Sequence, residues 1–223
     1  MARYASAAKN SFLIIALGLL AACGSGTAIN GSVSIAPGEK TGDVATVNGE
    51  VKVGDGATVG SAMTVNGSVT LGANVTAQSV KTVNGEITLG ESAKVTGNVL
   101  TVNGGLVLGK SADIGGKLAN VNGSIHLNSA HVGGGITTVN ADIEIGNGSR
   151  VEGGIHFEKP GISIEVSKDD KHLPRVVIGP GATVEGPLKF EREVKLFISD
   201  TATVPGPIEG ATAEKFSGDQ PTS

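Results

Sequence analysis

The chain has 223 residues, including 35 Gly, with 17% charged residues, 3% aromatic residues and a formal net charge of −4. Many Gly residues without a collagen-like triplet indicate tight turns between short strands, and the scarcity of aromatics favours a slim core of aliphatic side chains. The negative charge and the lack of a basic stripe argue against nucleic acid as a partner, because phosphate binding needs a basic surface.

Residues 1–22 have the layout of a secretory signal. A positively charged start precedes an apolar run at 12–20, which is too short to span a bilayer. The run ends in Leu-Ala-Ala-Cys at 20–23, which resembles the lipobox of bacterial lipoproteins and holds the only cysteine of the chain. That resemblance implies cleavage before Cys23 and lipid attachment to its sulfur, which makes residues 23–27 a lipidated tether. An ordinary signal peptide or a short membrane anchor is the alternative.

The residue after Cys23 bears on the membrane in which such a lipoprotein resides. It is Gly24, whereas Asp at this position commonly retains lipoproteins in an inner membrane. We therefore expect an exported, membrane-anchored protein, with the outer membrane favoured where a cell has two. The periplasmic and the surface face both stay open.

A four-residue phrase, Thr-Val-Asn-Gly, recurs through the first two thirds of the chain. Counting looser copies, its Asn residues are Asn30, Asn48, Asn66, Asn84, Asn103, Asn122 and Asn140. The steps between them are 18, 18, 18, 19, 19 and 18 residues. A fixed period of this length is typical of a solenoid, in which each repeat stacks on the next.

Within each repeat, apolar and polar residues alternate after the Asn. Val51 and Val53, for example, flank Lys52, which predicts a strand with one buried face. The Val before each Asn is also expected to fill the core. With about three short strands per repeat, the sequence predicts an all-β fold: a single-stranded parallel β-helix of about nine coils with 18–20-residue repeats. A right-handed coil is favoured, the usual sense for parallel crossovers.

The column of Asn residues has a structural and a functional interpretation. Asn followed by Gly readily adopts turn dihedrals, and stacked Asn side chains can hydrogen-bond amide to amide along the axis. The alternative is an outward row that binds a ligand. The structural interpretation is favoured, because Val precedes the Asn and Gly follows it in nearly every copy.

The periodicity divides the chain into segments. Seven coils are expected at 28–157, followed by a charged hairpin insert at 158–175 where the period breaks. Two terminal coils without Asn-Gly follow at 176–210, and 211–223 is small and polar, as expected for a flexible tail. The insert is interpreted as a solvated loop, with partner docking as the alternative.

One pair of side chains is a weak candidate for a surface site. His126 and Glu144 occupy the same outward column on adjacent predicted coils and are expected to come within contact distance. A metal or acid–base site is one interpretation, and a solvated surface contact is the favoured one. No catalytic residue, resident metal or cofactor is predicted.

Two family resemblances bear on function. The pattern Ile-Gly-x-x-Ala-x-Val-x-Gly-x-(Val/Leu), carried by residues 89–99 and 178–188, resembles the polymer-forming β-helix of bactofilins. Bactofilins are scaffolds that polymerise through their β-helix ends. The Thr-Val-Asn-Gly phrase also resembles adhesin-type repeats of exported bacterial proteins.

A third resemblance is to the left-handed β-helix acyltransferases, which bind acyl-CoA. It rests on hexapeptide spacing at Val83, Leu89 and Val95. The 19-residue steps shift this register and count against it.

These observations favour a non-enzymatic, membrane-anchored scaffold or adhesin-like protein of the cell envelope. Its expected partners are the membrane, through lipidated Cys23, and a protein or cell-wall component. A carbohydrate-active or acyl-transferring enzyme on the same scaffold is one alternative. A self-polymerising, cytoskeleton-like element is another.

Overall fold

The structure, a computed structural model, describes residues 26–159 and 173–221. Within these ranges the regular structure consists of 24 β-strands, numbered in chain order, and contains no helix. All strand pairings between successive coils are parallel, so the described chain is a β-solenoid with three walls. The predicted parallel β-helix is confirmed.

The first wall follows the Asn-Gly corner of each coil. Its strands are β2 (Val33–Ile35), β4 (Val51–Val53), β6 (Val69–Leu71), β9 (Ile87–Leu89), β12 (Leu106–Leu108), β19 (Arg175–Ile178), β22 (Lys195–Ser199) and β24 (Ala213–Phe216). Val51 and Val53 are buried and Lys52 is exposed, which is the alternation that the sequence predicts.

The second wall is narrower and forms a separate six-stranded sheet. Its strands are β7 (Thr76–Ala77), β10 (Lys94–Val95), β13 (Asp113–Ile114), β15 (His131–Val132), β17 (Arg150–Val151) and β20 (Thr183–Val184). Each contributes one buried apolar side chain to the core and one outward residue to the surface.

The third wall leads into the next Asn-Gly corner. Its strands are β1 (Thr27–Asn30), β3 (Val44–Asn48), β5 (Ser61–Asn66), β8 (Ser79–Lys81), β11 (Val99–Asn103), β18 (Ile155–Phe157), β21 (Leu188–Phe190) and β23 (Ile208–Glu209). Two longer strands, β14 (Leu118–Leu127) and β16 (Ile136–Ile145), run through the corner and so belong to both the first and the third wall.

The solenoid has about ten turns, one more than the sequence predicts. The last turn includes β24, which pairs with β22 and lies within the range 211–223 that the sequence assigns to a tail. Alternation is hard to see there, because Glu214 and Lys215 are exposed where the stack ends and only Phe216 is buried.

The core is a continuous column of aliphatic side chains that runs through the stacked coils. Val, Ile and Leu from one coil lie on their counterparts in the next, as at Val51, Val69 and Ile87, which are fully buried and in register. Complete burial of one such side chain stabilises the fold by about 1.5–3 kcal/mol. Near the C-terminal coils Phe157 and Phe190 widen the core, with ring centroids 5.4 Å apart.

At five successive corners, from Gly49 to Gly123, the Gly that follows the Asn is required by close packing of one coil on the next. A Cβ placed on Gly67 would lie only 2.0 Å from the carbonyl oxygen of Gly49 in the preceding coil. Real Cβ contacts are never so short, so at these five corners only Gly allows the coils to stack at the spacing of paired strands.

Candidate functional site

Cys23, the predicted lipid attachment site, and residues 160–172 of the predicted insert lie outside the described residues. The other candidate residues can be placed. They lie on the Asn-Gly corner and on the outer surfaces of the walls.

Six Asn side chains form a hydrogen-bonded ladder along the Asn-Gly corner. In each step the Nδ2 of one Asn donates to the Oδ1 of the Asn one coil earlier, at 2.8–3.0 Å. The members are Asn30, Asn48, Asn66, Asn84, Asn103 and Asn122. In the next coil, Asn140 Oδ1 accepts a bond from Nη1 of Arg192 at 2.9 Å. Because the amides bind one another, the ladder holds coils together.

The residue that fills the core beside this ladder is Thr, so the prediction that Val fills it is wrong. Thr46, Thr64, Thr82 and Thr101 are at most 3% exposed. Their Oγ1 atoms donate to the corner Gly carbonyl of the preceding coil at 2.8–3.2 Å. Val cannot donate a hydrogen bond, and an unpaired carbonyl would be costly at this depth. Each Val therefore points outward and is only half-buried.

The structure brings His126 and Glu144 together on the outer surface of the first wall. They are paired in register on adjacent strands, and His126 Nδ1 lies 3.2 Å from Glu144 Oε2. The second carboxylate oxygen of Glu144 accepts a hydrogen bond from Gln220 Nε2 at 2.8 Å. Both oxygens of this carboxylate are thus held by other side chains.

A depression of about 200 Å³ lies beside this pair. It is lined by Ser124, His126, Asp142, Ile143, Glu144, Arg175 and Val177. The backbone N–H of Arg175 donates to Asp142 Oδ1 at 2.8 Å, and the Arg175 guanidinium lies 5.2 Å from the ring centroid of Phe197. An imidazole, two carboxylates and a guanidinium therefore lie around one small depression, and sequence spacing revealed only two of these groups.

The C-terminal residues 217–221, here called the strap, run back along the outside of the first wall. Phe216 pairs with Ser199 in the last turn, whereas Gln220 contacts Glu144 on β16, three strands earlier. Three strand spacings are about 14 Å, and the side chain of Gln220 covers part of this distance. The strap therefore crosses the strands on their outer side, with bends at residues 218–220.

The outward side chains along the path of the strap form a small apolar cluster that is separate from the core. Val177, Phe197 and Phe216 are 2%, 7% and 9% exposed, although Val177 and Phe197 point away from the solenoid axis. Pro221 of the strap is buried as well. The strap and this cluster together fasten the last turns to the turn that carries Glu144.

A second group of charged side chains lies on the second wall. His131 Nδ1 is 2.6 Å from Asp113 Oδ1, and its Nε2 is 3.3 Å from Glu152 Oε1 without the alignment of a hydrogen bond. The hydrogen bond from His131 and the charge of Lys94 hold the pKa of Asp113 below its usual value, against the opposing effect of burial. The group follows the strand register, with Lys94, Asp113 and His131 in one column.

A third group lies on the outer surface of the third wall near its C-terminal end. Glu191 Oε1 is 2.8 Å from Lys189 Nζ and 3.2 Å from His156 Nε2. Hydrogen bonds from Lys189 and then from His156 lower the pKa of Glu191 to about 2. The same hydrogen bond to Glu191 raises the pKa of the Lys189 ammonium group.

The described residues contain neither a cluster of metal-binding side chains nor a membrane-spanning helix. Among those residues, no group of three or more His, Cys, Asp and Glu side chains is placed to hold a metal ion. The same part of the chain has no helix that is long and apolar enough to cross a membrane.

Comparison of the chain with protein-family models, with curated proteins and with solved structures finds no match.

Proposed function

We propose that the chain is an exported lipoprotein, anchored through Cys23, that serves as a non-enzymatic scaffold or adhesin-like interaction protein of the cell envelope. The resemblance to bactofilin-type and adhesin-type repeats supports the repeat architecture of such a scaffold. The location rests on Leu-Ala-Ala-Cys at 20–23 and the apolar run before it.

The scaffold role is supported chiefly by the way in which the polar side chains of the first wall are used. Glu144 has one carboxylate oxygen on His126 and the other on Gln220 of the strap. A carboxylate held on both oxygens favours a clasp over a proton-transfer group, because a general base needs an oxygen directed at substrate. Flat walls of stacked strands suit recognition over an extended surface.

Lipidation is tested with the full chain expressed in a bacterium and labelled with a radioactive fatty acid. The wild-type protein should take up label and fractionate with membranes. Cys23→Ala should accumulate as the longer precursor without label, whereas Ser25→Ala, two residues away, should behave like wild type. Normal processing and membrane retention of Cys23→Ala would contradict the lipoprotein proposal.

The interaction role is tested by affinity capture from envelope extracts. The full chain is compared with a variant in which residues 160–172 are replaced by a short Gly-Ser linker. A protein or cell-wall fragment retained by the full chain supports the role, and its loss from the variant would place the contact at the insert. Capture of nothing by either form would argue against an interaction protein.

A second candidate function, a carbohydrate-active enzyme, is favoured by the depression beside His126. Its carboxylates and Arg175 lie next to one another, as in many sites that bind polar substrates. The test is release of sugar from purified cell-wall polysaccharide by wild type, Glu144→Gln and the distant variant Glu50→Gln. Release that only Glu144→Gln abolishes would establish this function in place of the scaffold role.

A further inference from the structure

The outward position of the Val residues gives the third wall an apolar outer surface. Two columns of outward side chains run up this wall through six consecutive turns, from β3 to β16. One column is Val47, Val65, Val83, Val102, Val121 and Val139, and the other is Ala45, Met63, Lys81, Leu100, Ala119 and Thr137. We call these twelve residues the valine face. Eleven are half-buried and Ala119 is 7% exposed, because neighbouring side chains on a flat sheet cover part of one another.

The valine face carries one charge, that of Lys81, and no carboxylate. In the turns beyond it, the same wall becomes charged, with outward His156 and Lys189. Along one side it is bordered by the exposed Asn ladder. An apolar surface with a polar border is typical of interaction sites, because soluble monomers seldom expose large continuous apolar patches.

The valine face together with the Asn ladder along its border has the size that two copies of the chain need to associate. Six strands at about 4.8 Å spacing and five residues of strand length, the last of them the ladder Asn, give a surface of roughly 29 by 17 Å. One copy would then cover roughly 500 Å² and a pair roughly 1,000 Å², which is the lower limit for a specific interface. Two flat sheets can pack face to face about 10 Å apart with interdigitated aliphatic side chains.

Charge also favours a second copy over other occupants. The chain has a net charge of −4, so two copies repel one another over most of their surfaces. The valine face has no carboxylates, so contact between two such faces adds no repulsion between carboxylates. A highly charged partner would find no complementary charges on it.

We propose that the valine face is a lateral dimer interface, on which a second copy packs wall to wall about a two-fold axis. The two solenoids then lie side by side, and their ends remain outside the interface. This inference deepens the proposed scaffold role by naming one partner as the chain itself. It is tested separately, because the lipidation experiment measures processing at Cys23 and this one measures proximity between copies.

The test is crosslinking of the full chain in its own membrane. Val83→Cys and Thr88→Cys lie in the same turn, are both half-buried and point outward from different walls. With a bismaleimide that spans about 10 Å, the sheet-to-sheet distance, Val83→Cys should give a covalent dimer about tenfold more abundantly than Thr88→Cys. A tenfold excess corresponds to a free-energy difference of about 1.4 kcal/mol in favour of contact through the valine face over contact through the first wall.

The dependence on the apolar surface is tested in the Val83→Cys background. Addition of Val65→Glu should remove most of the dimer, and addition of Thr70→Glu on the first wall should not. Equal crosslinking of Val83→Cys and Thr88→Cys, a ladder of larger species, or absence of dimer from Val83→Cys would each overturn the proposal. Protection of Cys at position 83 from maleimide without any dimer would place another segment on the face, and would overturn it too.

Discussion

Arg192 donates a hydrogen bond from Nη1 to Oδ1 of Asn140 at 2.9 Å, across 52 residues of sequence. The same nitrogen donates to the backbone carbonyl of Val139 at 3.1 Å. Asn140 occupies the turn after the last member of the Asn ladder, so a guanidinium supplies the donor that a further Asn would otherwise provide. Arg192 thus binds the Asn of the turn that follows the ladder.

Arg192→Ala should lower the free energy of unfolding by about 1–2 kcal/mol, because it removes two charge-assisted hydrogen bonds at a partly exposed site. Urea denaturation followed by circular dichroism measures the change. Lys52→Ala, which removes an exposed cation from the first wall, should stay within about 0.5 kcal/mol of wild type. An equal effect of the two substitutions would show that the Arg192 contact contributes nothing specific.

The buried Thr column provides a matched pair of substitutions. Thr64 Oγ1 donates to the carbonyl of Gly49 at 3.0 Å, whereas the buried Oγ1 of Thr138 has no hydrogen-bond partner. Thr64→Val should therefore destabilise the protein by about 1–2 kcal/mol, since it leaves a buried carbonyl unpaired. Thr138→Val should leave the stability unchanged or slightly raised. The measurement is the urea midpoint of each variant, compared at an unchanged denaturant slope. A lower midpoint for Thr138→Val than for Thr64→Val would refute the role assigned to the Thr hydroxyl.

Glu191 should contribute to acid sensitivity. Its pKa in the folded protein is about 2 and lies below the ordinary value of 4.5, so its contribution is fully present above pH 4.5. The contribution is lost as the pH falls from about 4.5 towards 2, because the unfolded chain binds the proton first. Glu191→Gln should make the stability less dependent on pH in this window.

The effect of Glu191→Gln is measured by thermal unfolding at a series of pH values. Asp113, whose pKa is also lowered, contributes in the same direction, so Asp113→Asn should flatten the profile further. A profile with the same slope for Glu191→Gln and wild type would contradict the assignment.

The Asn-Gly pairs should differ in their chemical stability. Deamidation requires the Gly nitrogen to attack the Asn Cγ with loss of ammonia, and water then opens the cyclic imide to Asp or isoaspartate. In the ladder, the Asn amides bind one another and the Gly nitrogens donate across the stack at 2.8–3.1 Å. Asn147-Gly148 lies in an exposed turn, and Gly148 donates at 3.3 Å.

Asn147 should therefore deamidate up to about tenfold faster than Asn66 or Asn84, because each hydrogen bond that must break adds about 0.5–1.5 kcal/mol to the barrier. Peptide mapping by mass spectrometry after incubation at mildly alkaline pH gives the extent at each site. Denatured protein is the control, in which the sites should react at similar rates. Equal rates in the folded protein would show that the ladder gives no protection.

The period of the Asn residues was enough to predict parallel stacking, because identical residues at a fixed step can only align when coils lie in register. It also placed His126 opposite Glu144. It did not reveal which of Thr and Val points inward, since alternation is ambiguous at a corner and apolarity favoured Val. Thr points inward because its hydroxyl binds a Gly carbonyl of the preceding coil. Every residue has a backbone carbonyl, so the sequence does not show which carbonyl needs a donor.

Two further features depend on contacts between distant parts of the chain. The clasp between Gln220 and Glu144 joins residues 76 positions apart, and Arg192 reaches Asn140 from outside the Asn-Gly repeats. Gln220 and Arg192 lie outside the periodic repeats, so the period could not predict which residues they contact. The strap lies in the segment 211–223, whose small polar residues predict a flexible tail because its contact with Glu144 is not visible in the sequence.

The strap makes the two ends of the stack mechanically unequal. At the C-terminal end, Gln220 ties the final turn to a strand three turns back, so that the last turns must loosen together. At the N-terminal end, β1 is joined to the rest by its pairing with β3, and most of its side chains are exposed. In a stack held by nearest-neighbour contacts, fraying then begins at the first turn. If the chain is tethered by its N-terminus, a pull on that tether unwinds the solenoid one turn at a time, and the clasped end is the last to yield.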